Sequence, residues 1–242
     1  MISSEYNLAE FLKKNKNQFH KVVHFNPNKE KLIQLDFTAN NKRLGEINLA
    51  SIDDFCAYIN ALLAEANASF GIGGYNELRT VYSMSSLFDN KANKIAAEVA
   101  EPRRLHLGLD IWGNAGTEIY APMAGTIHSF AFNNNFGDYG ATIILKHEPE
   151  DFSFYTLYGH LSLDDLNTLK EGDLITKGQI FAHFGRPEEN GHWPPHLHFQ
   201  VIKNIGSFQG DYPGVCRFSE KEGYLLNCPD PDFIANMNMF IC

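Results

Sequence analysis

The chain has 242 residues, 44% of them hydrophobic, and a formal net charge of −9. Its length suits one large domain or two small ones with a normal apolar core. The negative charge repels nucleic acid and anionic membrane surfaces, so neither is expected as a partner. No stretch approaches the roughly 20 apolar residues that a membrane-spanning helix needs, which excludes insertion into a bilayer.

The N-terminus and the cysteines bear on the cellular compartment. The first residues lack the basic segment, apolar core and small-residue cleavage site of a signal peptide. The four cysteines are too few and too scattered for a disulfide framework or a zinc knuckle, so free thiols are expected. We expect a cytoplasmic protein, or a periplasmic or extracellular one if a signal segment has been removed.

The first 90 residues mix helix and strand signals. A short helix is expected near residues 8–12, and residues 31–37 predict a strand. Ser51 and Asp54 resemble a capping box, and apolar residues follow at helical spacing, so the clearest helix begins there. The glycine-rich residues 71–74 are expected to end this unit.

From residue 105 onward the sequence is typical of short strands. Alternating and β-branched runs, separated by turn signals, predict strands at residues 125–132, 141–147, 152–160 and 196–202. Such spacing indicates an antiparallel β-sandwich or partial barrel. The predicted fold class is therefore α+β, with a small N-terminal α/β accessory region at residues 1–90 and the β-rich part, with a C-terminal extension, at residues 91–242.

Two histidines share one face of the last predicted strand. Because alternate residues of a strand point the same way, His196, His198 and Gln200 lie on one face. The opposite face is wholly apolar, as expected of a strand packed on a core. Such a polar face suits a metal site, although two surface histidines on an edge strand would give the same pattern.

A second polar face carries His106, Gly108 and Asp110, opposite a row of apolar residues. A straight strand would separate His106 and Asp110 by about 13 Å, too far for one ion to bind both. Gly108 lies midway, where a bulge or tight bend can bring the two side chains together. A further histidine, His160, ends the strand predicted at residues 152–160 and carries little weight alone.

Together these residues form a set suited to metal-dependent hydrolysis. Two histidines and one aspartate make three ligands, and a water takes the open fourth position of a catalytic zinc site. The ion lowers the pKa of that water from about 16 toward 7. Proton transfer and oxyanion stabilisation need further groups, for which His160 and His196 are the candidates.

Three blocks in order resemble the lysostaphin- or LytM-type zinc endopeptidases. They are H-L-G-L-D at residues 106–110, Y-G-H-L at residues 158–161 and H-L-H-F at residues 196–199. The resemblance covers about residues 102–203. Residues 186–195, which include Trp-Pro-Pro, depart from the Ser/Thr/Gly-rich stretch more common in the family.

The resemblance implies a site and an activity. His106, Asp110 and His198 match the ligands of Zn²⁺, and His160 and His196 match the two catalytic histidines that do not bind the metal. The implied substrate is a peptide or muropeptide, cut at a peptide bond of the peptidoglycan type. A non-catalytic regulatory module and a cytosolic amidase of small metabolites stay as alternatives, and the oligomeric state stays open.

Three residues before this part could also bear on the site. Asn76 could plug the metal, as a pro-segment asparagine does in some relatives, but a surface turn is the favoured interpretation. Glu77 and Arg79 could line the groove, and an ordinary surface ion pair is the favoured alternative.

Overall fold

The computed structural model describes residues 7–89, 101–149 and 152–241 of the chain. These residues form four α-helices and twelve β-strands. The helices are α1 (Leu8–Asn15), α2 (Ile52–Ala66), α3 (Lys221–Asn227) and α4 (Asp232–Ala235). The strands are β1 (Leu32–Leu35), β2 (Phe70–Gly73), β3 (Leu105–His106), β4 (Leu109–Trp112), β5 (Glu118–Tyr120), β6 (Gly125–Asn133), β7 (Gly140–His147), β8 (Phe154–Leu161), β9 (Leu174–Ile175), β10 (Ile180–His183), β11 (His196–Ile202) and β12 (Val215–Cys216). No helix in these ranges is long and apolar enough to cross a membrane.

Eight strands form one sheet in the order β1-β2-β4-β11-β8-β7-β6-β9. Strands β1 and β2 pair in parallel, and the other neighbours pair antiparallel. The short pairs β5–β10 and β3–β12 lie outside this sheet. The predicted α+β class is confirmed, and the described part of the chain forms a large open, mostly antiparallel sheet that does not close into a barrel.

Most elements lie where the sequence predicts them. Helix α2 begins after Ser51, whose Oγ accepts a hydrogen bond from the backbone N–H of Asp54 at 3.3 Å. It ends at Asn67, which takes the left-handed conformation with a φ of 50°. Strands β6, β7 and β8 match their predicted ranges to within two residues at either end, and β11 matches fully.

The prediction for the glycine-rich residues 71–74 is wrong. Three of these residues lie in β2, between β1 and β4. A Cβ at Gly71 would lie 2.5 Å from the Leu35 side chain, and a Cβ at Gly73 would lie 2.8 Å from the Arg79 guanidinium. The glycines are therefore explained by neighbouring side chains that approach the strand closely, and they do not end the unit.

The elements before residue 90 pack directly onto the β-rich part. Strand β2 pairs with β4, so the N-terminal strands extend the same sheet. The Phe55 ring of α2 lies 6.0 Å from Trp112 and 6.1 Å from Trp193, centroid to centroid. This aromatic cluster covers one face of the sheet, and the larger apolar core lies against the other. The boundary predicted at residue 90 falls outside the described residues.

Candidate metal centre

Strands β4 and β11 bring the two predicted polar faces together. They pair antiparallel, and His198 is the direct partner of Asp110 across the pair. Their apolar residues, such as Leu109 and Leu197, belong to the main core. The polar residues of both strands therefore project from the same opposite face of the sheet.

The predicted bend at Gly108 is confirmed. Strand β3 ends at His106 and β4 begins at Leu109, so the strand is interrupted between them. His106 Nε2 consequently lies 3.2 Å from Asp110 Oδ1. Glycine is needed for a second reason, because a Cβ at position 108 would lie 2.4 Å from the His198 ring.

Changing Gly108 to alanine should therefore displace His198 and weaken metal binding. We expect the dissociation constant for zinc to rise at least 10-fold, measured by competition with a chromogenic chelator, because a displaced ligand loses its geometry. Gly223→Ala is the matched control, because a Cβ there would meet nothing within 4 Å. Equal zinc affinity of Gly108→Ala and the unaltered protein would contradict this explanation of the glycine.

Three donor atoms converge at this point. His106 Nε2 lies 3.0 Å from His198 Nδ1 and 3.2 Å from Asp110 Oδ1. His198 Nδ1 lies 3.1 Å from Asp110 Oδ1. Ligand atoms about 2.0–2.1 Å from a tetrahedral zinc ion are roughly 3.3 Å apart, so the spacing fits such an ion. Among the described residues, these three form the group able to hold a metal.

The charge states of the three side chains also suit a metal. Burial, aided by the Arg79 cation, lowers the pKa of His106 to about 3 and keeps the ring neutral. Burial by itself would raise the pKa of Asp110, but the Arg79 cation paired with that carboxylate holds the pKa well below its usual range. Neutral imidazoles and an ionised carboxylate are the forms that bind a metal ion.

Further contacts fix the orientation of each ligand. His106 Nδ1 donates to the Gly74 carbonyl at 2.8 Å, which directs Nε2 toward the other donor atoms. His198 Nε2 donates to Gln200 Oε1 at 3.0 Å, which directs Nδ1 inward. Gln200 shares the polar face of β11, as the alternation predicted.

Arg79 fixes the orientation of the third ligand, Asp110. The interpretation of Arg79 as half of a surface ion pair is therefore wrong. Its side chain is only 2% exposed, and its guanidinium pairs with the free Oδ2 of Asp110. It also pairs with Glu77 at 2.7 Å and donates to the Gly74 carbonyl at 3.0 Å. Asn76 lies exposed in the turn before it, as expected of a surface turn.

His160 and His196 lie beside the three donors. Their ring centroids are 4.1 Å apart, and the His160 centroid lies 6.3 Å from that of His198. His196 stacks on Trp112 at 3.8 Å. Burial lowers the pKa of His196 to about 4 and holds the pKa of His160 well below its usual range. Both rings are therefore neutral near pH 7.

Each of these two rings is fixed through Nδ1. His160 Nδ1 donates to the Asn190 carbonyl and His196 Nδ1 to the Pro194 carbonyl, each at 2.8 Å. His160 has a φ of 64°, an uncommon value for a residue with a side chain and a feature often found at functional sites. Asn190 is itself bound to the backbone of Trp193, so the loop that departs from the family pattern positions both histidines.

A cavity of about 130 Å³ opens beside the centre, and His160 and His198 form part of its wall. Trp193 forms another part and is 4% exposed. Its ring packs edge-on against His160 and His196, at centroid distances of 5.9 and 6.1 Å. Trp193, from the loop that departs from the family pattern, is thus part of the wall of this cavity.

Two histidines and an aspartate on one face of an open sheet, with two neutral histidines beside them, have the composition of a catalytic metal centre. Residues 104–209 match the model of peptidase family M23. The resemblance to lysostaphin-type peptidases is confirmed, and all five site residues lie inside the segment. Comparison with curated proteins finds no match.

Several solved peptidase structures are similar to parts of the chain. The catalytic domain of the antimicrobial peptidase lysostaphin from Staphylococcus simulans is 28% identical, with a TM-score of 0.35 and coverage of 50% of this chain and 80% of that one. A zinc-containing peptidase from Vibrio cholerae is 25% identical, with a TM-score of 0.33 and coverage of 47% and 30%. A putative peptidase M23 from Pseudomonas aeruginosa is 22% identical, with a TM-score of 0.35 and coverage of 54% and 43%. The chain thus spans less than half the length of the last two proteins.

Proposed function

We propose that the protein is a zinc metalloendopeptidase that cleaves peptide bonds in peptidoglycan-type peptides. The observation that carries this proposal is the triangle of donor atoms 3.0–3.2 Å apart. His106, Asp110 and His198 would hold the ion and leave one position open. Two imidazoles in the set favour zinc over magnesium or calcium. When bound, zinc supplies Lewis-acid activation of a water and of the scissile carbonyl.

The proposed roles of His160 and His196 follow from their fixed, neutral rings. Because each ring keeps its proton on Nδ1, where it bonds a backbone carbonyl, the lone pair stays on Nε2. One of the two can accept the proton of the attacking water there and pass it to the leaving amine. The other ring, 4.1 Å away between centroids, can stabilise charge on the substrate oxygen once Nε2 is protonated, because that nitrogen then donates a hydrogen bond.

The full set of five side chains supports an enzyme over a non-catalytic binding module. A binding module would need neither two neutral buried histidines nor the contacts that fix their orientation. Buried titratable groups with strongly shifted pKa values are typical of functional sites.

The small volume of the cavity and its Trp193 wall support a soluble peptide, such as a released wall fragment, as the substrate. We therefore expect zinc-loaded protein to release product at least 10-fold faster from soluble muropeptides than from insoluble sacculi at equal bond concentration. Mass spectrometry of the products identifies the bond that is cut. Protein treated with a chelator is the control, and readded zinc should restore its activity.

Faster release from sacculi would overturn the proposed substrate form and leave the peptidase proposal intact. Release of product by the metal-free protein would overturn the zinc proposal. No release from either substrate, with zinc bound, would favour the amidase or the binding module.

A further inference from the structure

The cavity beside the metal centre has aromatic walls. Its volume of about 130 Å³ is small compared with the roughly 300–1,000 Å³ of sites for larger ligands, so it holds one short group. Five aromatic side chains from four separate segments line it: Tyr82, Phe88, Tyr139, Trp193 and Tyr212. Aromatic faces carry partial negative charge and attract cations.

Two carboxylates line the same cavity. Asp138 accepts hydrogen bonds from the Tyr139 backbone and the Asn135 side chain, both neutral donors. Asp211 lies at the exposed rim, and partial burial and the nearby Asp138 raise its pKa. Within the described ranges, neither carboxylate forms an ion pair.

One cation, Arg103, also lines the cavity. Its guanidinium lies over the Phe88 ring, 5.5 Å from the centroid, and donates to the Leu87 carbonyl at 2.6 Å. It lies near enough to Asp211 to stabilise that carboxylate. One positive charge cannot balance two negative ones, so the cavity keeps an excess negative charge.

We infer that this cavity binds an ammonium group of the substrate, such as a free amino terminus or a diamino-acid side chain, next to the bond that is cut. Aromatic side chains together with two carboxylates that form no ion pair among the described residues favour a compact cation over a neutral or anionic group. His160 and His198 belong to the same wall, so the bound group lies within about one residue of the metal centre. Its position relative to the scissile bond rests on the proposed peptidase function.

The test measures binding directly, by calorimetry on the full chain freed of metal, so that it does not depend on hydrolysis. The probes are glycyl-glycinamide, its N-acetyl derivative, which lacks the ammonium charge, and N-acetyl-glycylglycine, which is an anion. We expect glycyl-glycinamide to bind at least 10-fold more tightly than either acetylated probe. Asp211→Asn should lower that preference about 10-fold, because it removes charge and keeps shape.

Asp53→Asn is the matched control, since Asp53 is exposed and lies outside the cavity wall, and it should leave binding unchanged. Equal binding of the three probes, absence of binding, or an unchanged preference in Asp211→Asn would overturn the inference. Preferred binding of the anionic probe would also overturn it and would point to Arg103 as the recognition group. Ammonium binding without any peptidase activity would support the cavity assignment and contradict only the proposed function.

Discussion

Replacement of His106 by alanine is expected to abolish zinc binding and hydrolysis together. The change removes one of three donor atoms, and His198 and Asp110 alone cannot retain the ion in a site that also exchanges water. Metal content should fall from about one zinc per chain to near zero, as measured by mass spectrometry of dialysed protein. Hydrolysis should fall below detection.

Asp110→Asn should give the same loss with a smaller disturbance of shape. Alanine at this position would leave the buried Arg79 cation without its carboxylate, and breaking a buried pair costs about 3–5 kcal/mol. Asparagine keeps a hydrogen-bond acceptor beside Arg79. His24→Ala, which changes an exposed histidine, is the control and should retain zinc. Full zinc occupancy in folded His106→Ala or Asp110→Asn protein would refute the ligand assignment.

His160→Ala and His196→Ala are expected to separate catalysis from metal binding. Neither ring contributes to the triangle of donor atoms, so zinc content should stay near one per chain. Hydrolysis should fall by about 10²–10⁴-fold, the loss expected when an acid–base or oxyanion group is removed. Zinc content and steady-state kinetics should be measured on the same preparations.

His192→Ala is the matched control for these two variants. His192 is exposed and lies in the same loop as Trp193, but outside the cavity wall. Its removal leaves the hydrogen bonds between Asn190 and Trp193 in place, so neither zinc content nor rate should change by more than about 2-fold. If His160→Ala or His196→Ala loses the metal instead, the proposed division of roles is wrong.

Alternation along single strands predicted much of the site. His196, His198 and Gln200 share a face because side chains alternate in a strand, and β11 has the bounds that this pattern predicts. The bend between His106 and Asp110 was predicted for a geometric reason, since one ion cannot bind both across a straight strand. Such inferences succeed because they depend on a few neighbouring residues.

Contacts between distant segments could not be predicted in this way. Arg79 resembled an ordinary charged residue beside Glu77, and its burial against Asp110 depends on the pairing of β2 with β4. Strand β2 was missed because its glycines lower strand propensity, while the Leu35 side chain that lies against Gly71 belongs to a separate strand. The aromatic walls of the cavity likewise come from separate segments with no common spacing.

The pairing of β2 with β4 bears on any effort to isolate the catalytic segment for engineering. Excision to residues 104–209 would expose the backbone edge of β4, whose partner Gly71–Gly73 would be gone. His106 Nδ1 would lose the Gly74 carbonyl, and Asp110 would lose Arg79. Transfer of this segment into another protein therefore requires a replacement strand next to β4. The added part must also supply a carbonyl for His106 Nδ1 and a cation for Asp110.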